Sequence, residues 1–159
     1  MPIMSRMAAI LLVAHAPLAS ALQSVAAHVY PEAVDVIGAL DVAADADVLT
    51  LRAPLQALIQ RLGAADARGE VLLLCDCFGA TPCNAALAAA DGVRQRVVAG
   101  VNVPMLWRAI CYRHQPLDEL VTRAVAGAGQ GVMHVAVPRR QNQPSPPGRH
   151  DPQAHSHQQ

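Results

Sequence analysis

Lysine is absent: all twelve basic residues are Arg, balanced by twelve Asp and Glu for a formal net charge of zero. Without a surplus of positive charge the chain lacks the electrostatic footprint of a nucleic-acid or membrane-surface binder. Aromatics are nearly as scarce, at 3% with a single Phe and a single Trp, while hydrophobic residues reach 53%. The core therefore has to be built from Ala, Val and Leu, which suits close packing of helices on a sheet. No apolar run approaches the roughly 20 residues of a bilayer span. "MAAILLVA" (7–14) is short and ends in His-Ala-Pro. Arg6 and the following "AHA" imitate a signal peptide, but the same residues serve as a buried first strand, so that reading is rejected. The four cysteines, Cys75, Cys77, Cys83 and Cys111, lack the paired spacing of a zinc site or disulfide scaffold. Reduced thiols in a cytoplasm, with neither metal nor cofactor, are the expectation.

What is present is organised as one domain's worth of chain, 159 residues. Continuous apolar runs at 8–14 ("AAILLVA") and 71–75 ("VLLLC") have the signature of strands covered on both faces of a parallel sheet. "AVDVIGAL" (33–40) and "RVVAGV" (96–101) are two further candidates, and "VMHVAV" (132–137) reads as a last short edge strand. Helical spacing links Leu18, Leu22, Val25 and Val29, and then Val48, Leu51, Leu55, Leu58, Ile59 and Leu62 up to Gly63. Pro54 predicts that this second helix starts near Arg52 or bends there. A third helix is expected from a Thr81 N-cap with Pro82 at its first position and runs to Gly92. A fourth is capped by Asn102, and a fifth runs from Pro116 to the "GAGQG" break. From Pro138 the tail turns to Pro, Gln, Arg, Ser and His, including His150, His155 and His157, and is expected to be disordered.

This alternation predicts an α/β fold: an open, mainly parallel flavodoxin-like sheet of order 2-1-3-4, with helices on both faces and a short C-terminal edge strand. In such sheets ligands gather at the carboxyl ends of strands where the order reverses, here between strands 1 and 3. His15 ends the first strand and Asp76 follows the third. A carboxylate bonded to one imidazole nitrogen fixes the tautomer and leaves the other nucleophilic. After Asp76, "CFGATP" (77–82) supplies Gly79 for a tight turn and a helix N-terminus at Thr81, whose free N–H groups favour an anion. Each piece has a plainer meaning as strand terminus, turn former or helix start; it is their conjunction at one switch point that suggests phosphoryl chemistry.

These residues resemble a known family. "ILLVAHAPLASAL", "GEVLLLCDCFGATPCNAA" and "VVAGVNVPMLWRAICYR" are similar, in order and spacing over about residues 8–135, to the IIA component of the mannose class of the bacterial phosphoenolpyruvate-dependent sugar phosphotransferase system. The resemblance implies a phosphocarrier. His15 would take a phosphoryl group from the carrier HPr and pass it to a IIB-type acceptor, with Asp76 orienting the ring and Gly79, Ala80 and Thr81 around the phosphoryl group. It also implies a homodimer paired through the sheet edge and last strand. Ala16 and Pro17 depart from the Gly and its follower after the family's histidine, and Ala80 from its second Gly.

Pro17 and Phe78 are candidate docking contacts for a partner, although Phe78 has an equal claim to cover the helix below it. Asn102, Pro104 and Met105 match the third motif as scaffold of the rim, while His28, His114 and His134 show no partner pattern. Because no second domain is read after the Pro-rich tail, a IIB acceptor is expected to be a separate protein or absent. Alternatives left open are a stand-alone regulatory phosphoprotein and a non-catalytic module that binds a phosphorylated ligand; feeding a dihydroxyacetone kinase fits the second motif less well.

Overall fold

A computed structural model describes residues 7–138; the tail from residue 139 onward, with its three histidines, lies outside the described residues. Strand β1, Ala9–His15, is buried at every position except the last. Its side chains alternate between two cores, as a strand covered on both faces requires. Ile10, Leu12 and Ala14 join one core, and Ala9, Leu11 and Val13 the other. His15 stands where the strand leaves the sheet.

Helix α1 spans Leu18–Val29, followed by a 3-10 segment, Pro31–Val36, and strand β2, Ile37–Val42. Helix α2 (Val48–Gly63), β3 (Val71–Cys75), α3 (Thr81–Ala89), β4 (Gln95–Ala99), α4 (Val103–Tyr112) and α5 (Leu117–Gln130) complete the order. All pairings are parallel and the sheet order is β2-β1-β3-β4, as the sequence pattern predicts. The chain winds from β1 outward to β2, then back past β1 to β3. The reversal lies between β1 and β3.

Each face buries an Ala- and Leu-rich layer. On one, Ala19, Leu22 and Ala26 of α1 and Met105, Leu106, Ala109, Leu120 and Ala124 of α4 and α5 cover Ile10, Leu12, Leu72 and Leu74. On the other, Leu51, Leu55, Ile59 and Leu62 of α2 and Cys83, Ala85 and Ala86 of α3 cover Leu11, Val13, Leu73 and Cys75. Each fully buried Leu contributes about 1.5–3 kcal/mol. Burial also pushes the Cys75 thiol well above its usual range, and the neighbouring Cys83 adds to this, so Cys75 is core rather than chemistry.

Several expectations are corrected. The stretch from residue 33 does not open as a strand: Pro31 starts a 3-10 segment and β2 begins only at Ile37. Helix α2 starts at Val48 because the Asp47 carboxylate accepts the Thr50 N–H at 2.8 Å, and it carries Pro54 in its interior. Helix α3 begins at Thr81 with Ala80 as its N-cap, one residue earlier than expected, and stops at Ala89 rather than Gly92. Helix α5 runs through Gly127 and Gly129 to Gln130; a Cβ on Gly127 would collide with Arg108 of α4, so that glycine serves helix packing rather than a stop. Residues 132–137 form no edge strand among the described residues. They are apolar at every position but His134, which suits a strand, but no described strand pairs with them.

Candidate functional site

Parallel registry sets the tips of β1 and β3 side by side, Val13 opposite Cys75. Just beyond them His15, two residues after Val13, and Asp76, next after Cys75, meet although 61 positions separate them in the chain. The His15 Nδ1 lies 2.6 Å from Asp76 Oδ2, and the same oxygen accepts the His15 backbone N–H at 2.9 Å. The other oxygen, Oδ1, accepts the Cys77 N–H at 2.8 Å. Burial alone would push the Asp76 carboxyl up, but the His15 N–H and ring and the Cys77 N–H outweigh it and hold Asp76 below the usual carboxylate range. Asp76 is thus an anion that only accepts, so in the neutral ring the proton sits on Nδ1 and Nε2 is the nitrogen with the lone pair. The His15 side chain is 50% exposed against 13% for Asp76: the base is open to a partner and its anchor is shielded.

Four helices begin at this pole, each following a strand. The Asp41 carboxylate accepts the Ser20 N–H in the first turn of α1 at 3.0 Å, Asp47 caps α2, and Asn102 accepts the Met105 N–H at 2.9 Å to cap α4. Helix α3 has no side-chain cap, its N-cap being Ala80, and Pro82 brings no N–H. The first-turn donors of α3 therefore lack an acceptor from within the helix or from a capping side chain. Gly79 makes the turn into this helix at φ +83°, a left-handed conformation that favours glycine. The Asn84 side chain secures the turn by donating to the Gly79 carbonyl at 3.1 Å.

The remaining candidates divide clearly. Pro17 precedes α1 and is exposed, joined to Ala16 by a cis peptide bond. Phe78 is 81% exposed and covers no helix. Asn102 is a helix cap and Met105 is buried core, so both act as scaffold. His114 packs against Tyr112 and contacts the Gln115 side chain. Among the described residues no group of three or more His, Cys, Asp and Glu is arranged to hold a metal ion. Two contributors were not singled out by sequence: the Cys77 N–H, a backbone group with no side-chain signal, and Asp41, whose only signal is a carboxylate near the end of an otherwise apolar strand.

No described helix is long and apolar enough to cross a membrane. Among curated proteins none matches the chain. Solved structures share its fold. The mannose/sorbose-specific IIA subunit from Enterococcus faecalis superposes with a TM-score of 0.72 at 24% identity, covering 84% of this chain and 98% of that one. The IIA protein associated with the fucose utilization operon of Streptococcus pneumoniae gives 0.70 at 21%, covering 82% and 94%. The phosphotransferase system component EIIA from Streptococcus agalactiae gives 0.67 at 23%, covering 80% and 97%. A family model, EIIA-man, described as the PTS system fructose IIA component, matches residues 9–125. On that match the chain belongs to the mannose-class IIA family of the phosphotransferase system, whose members carry phosphoryl groups.

Proposed function

We propose that His15 is the phosphoryl acceptor, taking the group from phospho-HPr and passing it to a IIB-type protein in sugar uptake in the cytoplasm. The observation that carries this reading is the 2.6 Å contact between His15 Nδ1 and Asp76, which places the proton of the neutral ring on Nδ1 and makes Nε2 the attacking nitrogen of a half-exposed side chain. The Nε2 lone pair attacks phosphorus in line; the N–P bond forms as the bond from phosphorus to the donor breaks, and the donor keeps that electron pair. Positive charge grows on the imidazole as Nε2 is used, and the Asp76 anion beside Nδ1–H stabilises it. The equatorial oxygens are received by the turn at Gly79 and Ala80 and the first-turn N–H groups at Thr81, which have no competing side-chain cap. Onward transfer repeats the step in reverse, with the acceptor as attacking group.

Pro17 and Phe78, both exposed beside the two site residues, are the docking contacts in this reading. A homodimer fits the same family membership. Val132, Met133, Val135 and Val137 are 69–87% exposed, and an apolar segment of that kind is ready to pair with a sheet edge of a second copy.

The test is to incubate the protein with phosphoenolpyruvate, Enzyme I and HPr. One acid-labile, base-stable phosphate per chain is expected, absent from His15→Ala. A label that persists in the His15 variant overturns the assignment. A module that merely bound a phosphorylated ligand would instead show saturable binding that survives His15→Ala.

A further inference from the structure

We propose that Asp41 is a positioning residue for His15, holding from β2 the loop whose other side Asp76 holds from β3. The inference rests on the reading of His15 as phosphoryl acceptor. Asp41 sits opposite Ala14 in the parallel register, and its neighbour Val42 sits opposite His15. The Val42 carbonyl accepts the Ala16 N–H at 2.9 Å, and Asp41 Oδ1 accepts the Ser20 N–H at 3.0 Å. Only Ala16 and Pro17 separate His15 from α1. Pro17, the N-cap, offers no side-chain acceptor to its own helix, so the carboxylate of the adjacent strand takes that place.

The backbone of His15 therefore lies between two clamps. Its own N–H is fixed by Asp76, while the chain that follows is fixed by Val42 and Asp41. Ser20 closes the loop further by donating its hydroxyl to the Pro17 carbonyl at 3.1 Å. Hydrogen bonding by Ser20 also holds the Asp41 carboxyl below its usual range, so the clamp stays ionised where the protein works. A charged acceptor on α1 has a second consequence: it occupies a first-turn donor of the helix nearest His15 in sequence, leaving α3 as the helix after a strand with no side-chain acceptor at its first turn. Release of this clamp lets α1 and the residues leading into it shift, and a displaced nucleophile loses rate rather than partner affinity.

The test compares Asp41→Ala, Asp41→Asn and Asp47→Ala in phosphorylation by phospho-HPr and in the proton NMR signal of His15 Nδ1–H. Asp41→Ala should lower kcat about fivefold, the size expected for loss of one cap, with KM for phospho-HPr unchanged. The Nδ1 proton resonance should broaden in the same variant. Asp41→Asn keeps an acceptor oxygen and should recover both. Asp47→Ala removes a comparable cap from α2 and should lower stability without either effect. Wild-type kcat and resonance in Asp41→Ala, or an equal loss of kcat in Asp47→Ala, overturns the proposal. Should Asp41→Ala not fold, Asp41→Val removes the same acceptor with a β-branched side chain that suits a strand, and is scored identically. If the wild-type protein takes no phosphate, the phosphocarrier reading falls, and the resonance alone decides the role of Asp41.

Discussion

One carboxylate oxygen, Asp76 Oδ2, holds His15 twice, accepting its backbone N–H at 2.9 Å and facing its ring nitrogen at 2.6 Å. Two anchors on one residue fix both the place of the strand tip and the rotation of the imidazole. The ring cannot turn to exchange its nitrogens without breaking the shorter contact. This is preorganisation in a small space: the orienting anion is in position before a partner arrives, so none of the reaction's energy goes into arranging it.

Replacing Asp76 with Asn keeps the shape and removes the charge. The Asn side chain no longer stabilises the positive charge that grows on the phosphorylated ring, and it does not fix the tautomer. Phosphorylation of Asp76→Asn should slow on the order of 10²-fold, as for a modest misplacement of a reacting group. Rapid-quench measurement of phosphohistidine formation checks this, and an unchanged rate would remove Asp76 from the mechanism.

The same variant has a pH signature. The folded-state pKa of Asp76 lies below its ordinary value because the donors of His15 and Cys77 outweigh burial. A depressed carboxylate contributes stability that is present above the unfolded-state pKa, about 4, and lost as pH falls through the lower folded value. Wild type should exceed Asp76→Asn by about 2 kcal/mol at pH 7, the scale of hydrogen bonds to a charged group. That gap should shrink steadily in urea titrations taken from pH 5 down to pH 2. A gap that stays constant over the range would mean that the carboxylate's charge does not stabilise the fold.

Gly79 isolates backbone conformation from space. A Cβ there would meet nothing within 4 Å, but the residue sits at φ +83°. Gly79→Ala should therefore cost about 1–2 kcal/mol through strain alone. Because the same turn leads into the uncapped end of α3, it should also slow phosphoryl transfer while leaving the His15 to Asp76 contact intact in NMR. Gly38 offers the contrasting case in β2, where a Cβ would press on Leu62 Cδ1 at 2.8 Å and Leu11 Cδ1 at 3.2 Å. Gly38→Val should destabilise by overpacking, about 1–3 kcal/mol, and leave the transfer chemistry unchanged.

Much of this was legible in the residues themselves. The uninterrupted apolar runs ending at Ala14 and Cys75 announce strands buried on both faces, and a sheet of order 2-1-3-4 then brings the polar residues after them together. What the pattern hides is decided by local chemistry or by contacts distant in sequence. Pro31 and the Ala33 N–H to Tyr30 carbonyl bond at 2.9 Å turn a strand-like alternation into a 3-10 segment. Ala80 takes the N-cap because its extended backbone, ψ 164°, follows the Gly79 turn, so Thr81 falls inside the helix. Gly127 looks like a helix stop until Arg108 is seen against it. The apolar run at 132–137 is strand-like, yet a ladder needs a partner that residue pattern alone does not supply.

Phe78 separates docking from chemistry. Its ring is 81% exposed two residues after Asp76, so truncating it removes no core packing and leaves the hydrogen bonds of Asp76 in place. If the ring is a contact for the donor, Phe78→Ala should raise KM for phospho-HPr about tenfold, the consequence of losing one aromatic anchor of moderate strength. The value of kcat should stay within about twofold, since uniform binding rather than transition-state stabilisation is lost. Thermal stability should not fall. Val93, also strongly exposed at 72% but in the turn leading to β4, is the control, and Val93→Ala should change neither constant. Equal KM values for Phe78→Ala and wild type would move the docking surface off this loop, leaving Pro17 and the start of α1 to carry it.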